Sequence, residues 1–192
     1  MADEQSHRTP PRTGFRRSYT GLILMFAWGC GFLHAEVPDT IREDHLRAGY
    51  LLNFSKFVEW PTFGATDVLT ICFVGGTGIR DAFTAGAGSQ QVGARPIVTR
   101  SLSARASPEG CQVLYVEAAA PFSQDYMNAA VNPALLTVGD AHDFIHKGGI
   151  VELFADSNRL RFNVNLDNAR KAGLRISSSL LQLASRVEGT GQ

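Results

Sequence analysis

The stretch LTVGDAHDFIHKGGIVEL (residues 136–153), followed by FNVNLDNARKAGLRISSSLLQLA (residues 162–184), decides the fold. It begins with a short apolar and β-branched run, which predicts a strand buried in a sheet. Asp140 then predicts the N-cap of a helix, which the glycine pair Gly148 and Gly149 ends. A short strand followed by a short helix is typical of an α/β sheet.

The second half of this region predicts an antiparallel hairpin. IVELFA and RLRFNVN are separated by Asp156, Ser157 and Asn158, three residues that favour turns. LDNARKA then predicts a short helix closed by Gly173, and SSSLLQLASRV (residues 177–187) predicts a final helix. The hairpin therefore follows the other strands and precedes two short helices.

Upstream of this region, strands and helices alternate. A capping box of Thr40 and Glu43 predicts a helix that runs to about Val58, and Pro61 ends it. Further strands are predicted at VLTICFV, PIVTR and QVLYVE. The sequence therefore predicts one α/β domain over residues 36–192, with a mostly parallel central sheet, helices on both faces and the antiparallel hairpin at one edge.

Residues 1–35 predict a cleavable secretion signal. Four arginines precede the apolar run GLILMFAWGCGFL (residues 21–33), which is short for a bilayer span, and a cleavage site follows at Ala35. An uncleaved membrane anchor is the alternative. Export would place the domain in the periplasm.

The charge balance excludes one broad class of function. The chain carries 18 basic and 18 acidic residues, for a formal net charge of +0, and no block of like charge. Nucleic-acid binding requires a concentrated basic face, so no nucleic-acid partner is predicted.

Cys72 and Cys111 are the two cysteines of the predicted domain. In an exported protein they predict a disulfide between the strand ICFV and the start of QVLYV. Two separate buried thiols are the alternative interpretation.

The loop Gly75, Gly76, Thr77 and Gly78 is a candidate ligand site. It connects a strand to a helix, where backbone amides can bind an anion. The third glycine of the dinucleotide fingerprint and the phosphate-loop lysine are both missing, so a tight turn is the competing interpretation.

The remaining motifs predict no catalytic chemistry. His142 and His146 have a spacing that can hold a metal ion on a helix, but no third ligand accompanies them. A solvated helix face is the preferred interpretation, and a pH-sensitive surface is the remaining use for these histidines. The serines Ser177–Ser179 lack a nucleophile elbow and are interpreted as a helix cap. We therefore expect no enzyme, no cofactor and no metal.

Three stretches together resemble a known family. AGYLLNFSKFVEWP (residues 48–61) and the two stretches quoted first are similar to the YfiR-like family of small periplasmic proteins. The resemblance implies a periplasmic regulatory protein that binds and represses an inner-membrane signalling enzyme, above all a diguanylate cyclase that makes cyclic-di-GMP. It also implies a lipoprotein antagonist associated with the outer membrane. The family's second cysteine pair has no counterpart here, because Gly148, Gly149 and Val151 occupy that neighbourhood.

The residues alone also leave open a function of a different class. It is a periplasmic small-molecule-binding module that feeds a membrane sensor kinase or cyclase, with its ligand at the strand ends near Gly75–Gly78.

Partner-binding residues are predicted on the hairpin and just after it. An edge hairpin exposes aromatic and arginine side chains, the types enriched where interfaces bind most strongly. An exposed edge also favours self-association, so a homodimer is expected. The predicted residues are Glu152, Phe154, Arg159, Arg161 and Arg175.

Overall fold

The computed structural model describes most of the predicted domain. The predicted secretion signal, residues 1–35, lies outside the described residues. The described residues belong to one compact unit, residues 36–192. They are residues 39–61, 68–87, 91–121, 124–127 and 132–189.

The described residues alternate between strands and helices, as predicted. The helices are α1 (Asp39–Phe57), α2 (Thr77–Ala87), α3 (Leu166–Lys171), α4 (Ser178–Leu183) and a 3-10 helix (Gln124–Met127). The strands are β1 (Val58–Glu59), β2 (Leu69–Val74), β3 (Gln91–Val92), β4 (Arg95–Leu102), β5 (Val113–Val116), β6 (Leu136–Gly139), β7 (Val151–Asp156), β8 (Arg159–Asn165), β9 (Arg175–Ile176) and β10 (Arg186–Glu188).

One sheet organises the fold. Its strand order is β10-β8-β7-β6-β5-β2-β4-β3, and its neighbours pair in parallel except for β7 with β8 and β3 with β4. A second, two-stranded antiparallel sheet joins β1 to β9. The predicted α/β class with a mostly parallel sheet is confirmed.

The two faces of the sheet bury different clusters, because successive side chains of a strand point to opposite faces. On β2, Ile71 and Phe73 join the larger cluster with residues of α1, α2, α3 and α4. Cys72 and Val74 join a smaller cluster on the opposite face, which Tyr126 of the 3-10 helix and Phe144 of a loop also cover.

Helix α1 packs on the sheet through aromatic side chains. Phe54 is fully buried and meets Phe162 of β8 edge to face, with ring centroids 5.0 Å apart. Tyr50 contacts both rings and donates its hydroxyl proton to the Leu160 carbonyl at 2.9 Å. These contacts offset the low helix propensity of aromatic residues.

The hairpin β7–β8 lies near one end of the sheet, but β10 covers part of its outer strand. Residues 186–188 pair in parallel with residues 163–165 of β8. The prediction of a free hairpin edge is therefore wrong for this half of β8. The predicted final helix is wrong beyond Leu183, where the chain leaves α4 and forms β10. Ser177 caps α4 as predicted, accepting from the Leu180 amide.

The predicted helix after Asp140 is also wrong. Residues 141–148 form successive turns, and Asp143 adopts a left-handed backbone with φ 60°. Asp140 does not cap this segment, because its carboxylate accepts from the Ala118 amide and the Tyr115 hydroxyl instead. The Phe144 ring is then inserted into the smaller cluster.

Cys72 and Cys111 form the predicted disulfide. Their Cα atoms are 5.9 Å apart, and both side chains are buried in the smaller cluster. The bond joins β2 to the residues just before its neighbour β5.

Among the described residues, no helix combines the length and apolar content needed to cross a membrane.

Candidate functional site

The carboxyl ends of the parallel strands are where open α/β sheets usually bind ligands. Here the chain fills that position itself. Asp140, directly after β6, accepts from the Arg47 guanidinium at 2.8 Å, the Tyr115 hydroxyl at 2.9 Å and the Ala118 amide at 2.6 Å. Burial, together with the charge and hydrogen bond of Asp140, raises the pKa of Tyr115. This network ties α1 to the strand ends.

The loop Gly75–Gly78 also meets the chain's own carboxylates. The Gly76 amide donates to the Glu117 carboxylate at 2.8 Å, and a Cβ at Gly78 would collide with Asp44. Burial raises the pKa of Asp44, and the neighbouring carboxylate of Glu117 contributes in the same direction. An anionic ligand at this loop would have to displace Glu117 and approach Asp44.

The hairpin carries an exposed face on the side of the sheet away from α1. Phe154 stands opposite Arg161, and Asp156 stands opposite Arg159, so the register places these residues on that face. Arg159 lies next to the turn and also borders α1. Arg161 pairs with Asp156 at 2.8 Å, and both side chains are close to half exposed. We call the residues Phe154, Asp156, Arg159 and Arg161 the hairpin face.

A concavity of about 490 Å³ borders the hairpin face. Phe154 and Ala155 line it from β7, Asn163 from β8, Arg186 from β10 and His146 from the turn after β6. Glu152 also lines it, but this side chain is only 9% exposed and accepts from the Ile145 amide at 3.3 Å. Glu152 therefore stabilises the turn after β6 by accepting a hydrogen bond from its backbone.

His146 connects the turn after β6 to β10. His146 Nε2 lies 3.0 Å from a Glu188 oxygen, and its Nδ1 lies 3.3 Å from an Asp143 oxygen. The hydrogen bonds to Glu188 and then Asp143 raise the pKa of His146. Desolvation raises the pKa of Asp143, but His146 and His142 lower it by more.

A second cleft, of about 330 Å³, lies between the start of α1 and the hairpin tip. Arg42 and Arg159 supply positive charge from the two sides, and Leu46 is an apolar wall that is 50% exposed. Asp39 and Glu43 supply negative charge from α1. The cleft therefore offers both charges beside an apolar surface.

The structure brings together four of the five predicted partner-binding residues. Glu152, Phe154, Arg159 and Arg161 lie on or under the hairpin face. Arg175 lies on β9 in the other sheet, opposite Glu59, and lines neither of these cavities.

Sequence reasoning missed the contribution of α1 to the cleft. Arg42 and Leu46 are exposed on this helix, but no local pattern relates them to a hairpin more than a hundred residues away. Within the described residues, no three His, Cys, Asp or Glu side chains are arranged to hold a metal ion.

Comparisons with known proteins identify the family. No match was found among curated proteins. Among solved structures, the chain is similar to a conserved domain protein from Vibrio cholerae O1 biovar El Tor str. N16961, with 12% identity and a TM-score of 0.50. The match covers 73% of this chain and 60% of that protein, and it supports the fold alone. The family model described as YfiR/HmsC-like (DUF4154) matches residues 44–185, from α1 to the residue before β10, and the chain therefore belongs to the YfiR/HmsC-like family.

Proposed function

We propose that this chain is a periplasmic regulatory protein that binds the periplasmic portion of an inner-membrane diguanylate cyclase and lowers its output. Membership of the YfiR/HmsC-like family carries this proposal, because the family is consistent with periplasmic regulation of cyclic-di-GMP signalling. The disulfide supports it, since such bonds persist in oxidising compartments. A sensor kinase is the alternative partner, and an outer-membrane-associated lipoprotein is the proposed antagonist.

The hairpin face is the proposed docking surface. Phe154 supplies an aromatic anchor, and Arg159 and Arg161 supply forked donors that suit carboxylates of a partner. Arg161 is already oriented by Asp156, so part of the ordering cost of binding is met before the partner arrives. We expect the partner to present acidic side chains around an apolar pocket. A homodimer is proposed as the state before the partner binds.

Deletion of the coding gene should raise cellular cyclic-di-GMP, because repression of the cyclase is lost. The measurement is the nucleotide content of the deletion strain, of the parent and of the strain complemented in trans. An unchanged level, in cells that contain a membrane cyclase with a periplasmic domain, would contradict the proposal.

Phe154→Ala combined with Arg159→Glu should abolish repression. Arg159 is exposed, where substitutions usually change stability by about 0.5 kcal/mol or less, and Phe154 is only partly buried, so the domain should stay folded. The measurements are cyclic-di-GMP content and the unfolding transition. Arg105→Glu is the matched control, since this exposed arginine lies beyond β4, near the opposite end of the sheet. Arg175→Glu tests the other sheet: repression lost only in this variant would move the docking surface to β9.

The cleft between α1 and the hairpin tip favours a second function. We propose that it binds a small zwitterion with an apolar part, since Arg42 and Arg159 suit a carboxylate, Asp39 and Glu43 suit an ammonium group and Leu46 suits an apolar group. This moves the proposed small-molecule site from the Gly75–Gly78 loop to this cleft. Such a ligand would adjoin the hairpin face through Arg159.

L-leucine should bind the purified domain, and Arg42→Ala should abolish the heat of binding measured by calorimetry. The decarboxylated analogue, isoamylamine, is the control ligand, because it lacks the group that the arginines would bind. Equal binding of L-leucine and isoamylamine, or binding that survives Arg42→Ala, would contradict a carboxylate-specific cleft.

A further inference from the structure

The His146 imidazole lies between two carboxylates on different elements. Its Nε2 is 3.0 Å from Glu188 on β10, and its Nδ1 is 3.3 Å from Asp143 on the turn. Ionised carboxylates only accept hydrogen bonds, and a neutral imidazole donates through one nitrogen at a time. Only the imidazolium can donate to both carboxylates at once, so this geometry favours the protonated ring.

Strand β10 is a short strand at the end of the sheet, and it also contacts α3. It has three residues, and its partner in the sheet is β8. The Ser185 amide donates to the Phe162 carbonyl at 2.8 Å just before it. A short end strand of this kind opens locally at low free energy. The bond from His146 to Glu188 adds to these backbone attachments, and it is a contribution that can vary with pH.

Other charged groups surround the imidazole. His142 and Lys147 lie on the same turn, and His142 binds Asp143 at 2.8 Å. From β10, Arg186 approaches Glu188 at 3.6 Å, and Glu152 of β7 lines the same concavity. On α3, Asp167 lies beside Gly189 and pairs with Arg170. The nearby carboxylates favour protonation of the His146 ring. The basic groups His142, Lys147 and Arg186 disfavour it.

We propose that His146 is a pH-controlled latch: the protonated ring holds β10 against the hairpin, and the neutral ring lets β10 open more often. Release would uncover the outer edge of β8 at residues 163–165 and remove Arg186 from the concavity beside Phe154. The protein would then present a different hairpin surface to its partner in acidic and in alkaline surroundings. Only this consequence for the partner rests on the proposed function.

The direction of the pH effect follows from the carboxylates. Glu188 and Asp143 raise the pKa of His146 above its ordinary value. The stabilisation is therefore fully present below the unfolded-state pKa, and it is lost as the pH rises through the folded-state pKa. Because the ring is half exposed, the effect is local and modest.

Amide hydrogen exchange of the isolated domain tests the latch. After correction for intrinsic rates, protection of residues 186–188 should fall about two- to fivefold between about pH 5.5 and about pH 9, the range that an exposed ion pair produces in an equilibrium constant. His146→Gln should show the weaker protection at both pH values. His142→Gln is the matched control, because this turn residue does not contact Glu188, and it should behave as the wild type.

Protection of β4 serves as the internal reference for global stability. A wild-type domain whose β10 protection does not change with pH would overturn the latch. So would a His146→Gln variant that keeps the wild-type pH dependence. Because no partner is present, failure here leaves the proposed repression of a cyclase intact, and failure of the repression assay leaves the latch intact.

Discussion

Replacing Phe144 by alanine should lower the free energy of unfolding by about 3–5 kcal/mol, the cost usual for removing a buried phenyl ring. The ring is fully buried in the smaller cluster. Gly139 and Gly149 lie against it on two sides, so close that a Cβ at either position would collide with the ring. The backbone around this site is therefore shaped to the ring, and the cavity left by its loss would not collapse easily.

Urea unfolding of the two proteins measures this loss. Phe57→Ala is the matched control, since this ring is 38% exposed at the end of α1 and should contribute much less. Gly149→Ala overfills the same site instead of emptying it, because the added Cβ would collide with the Phe144 ring. This overpacking should cost about 1–3 kcal/mol. Similar losses in Phe144→Ala and Phe57→Ala would show that the Phe144 pocket is not a stability centre.

Removing the disulfide by replacing both Cys72 and Cys111 with alanine should cost roughly 4 kcal/mol, the loop-closure value for the 39 residues that separate them. The bond crosses from β2 to the residues before β5, in the middle of the sheet. Its loss would free a chain segment that contains α2, β3 and β4 in the unfolded state. The measurement is the free energy of unfolding of oxidised wild type and of the double variant.

Treatment with a reductant provides the control for this prediction. The wild type should lose stability on reduction, and the double variant should not respond, because no bond remains in it to reduce. Equal unfolding midpoints for oxidised and reduced wild type would show that the bond does not stabilise the domain. A response of the double variant would place the sensitivity elsewhere in the chain.

The elements that sequence reasoning located correctly are those whose signals are local. Thr40 and Pro61 bound α1 within a few residues, and the apolar run at β2 is buried on both faces of the sheet as a continuous apolar strand requires. The turn at Asp156–Asn158 closes the hairpin, with Ser157 and Asn158 in left-handed conformations that turn residues tolerate. Each of these signals acts over a few neighbouring residues.

The elements it mislocated are those where a distant contact competes with a local preference. Asp140 is a good N-cap by residue type, but Arg47 and Tyr115 bind its carboxylate and no helix follows. Residues 186–187 fit the end of a helix, but the open edge of β8 offers backbone partners that only a strand can use. These partners lie more than twenty residues away along the chain.

The same distinction applies to the candidate sites. The sequence by itself determined the α/β class, the disulfide pair and the hairpin with its arginines, because periodicity, cysteine content and turn residues are properties of short segments. Only the tertiary structure decided that Arg175 is separate from the hairpin face, that Arg42 and Leu46 form a cleft with Arg159, and that His146 binds Glu188. Those arrangements depend on which surfaces pack together when the apolar area of the whole domain is buried. The pattern of a short segment does not specify which distant segment it will pack against.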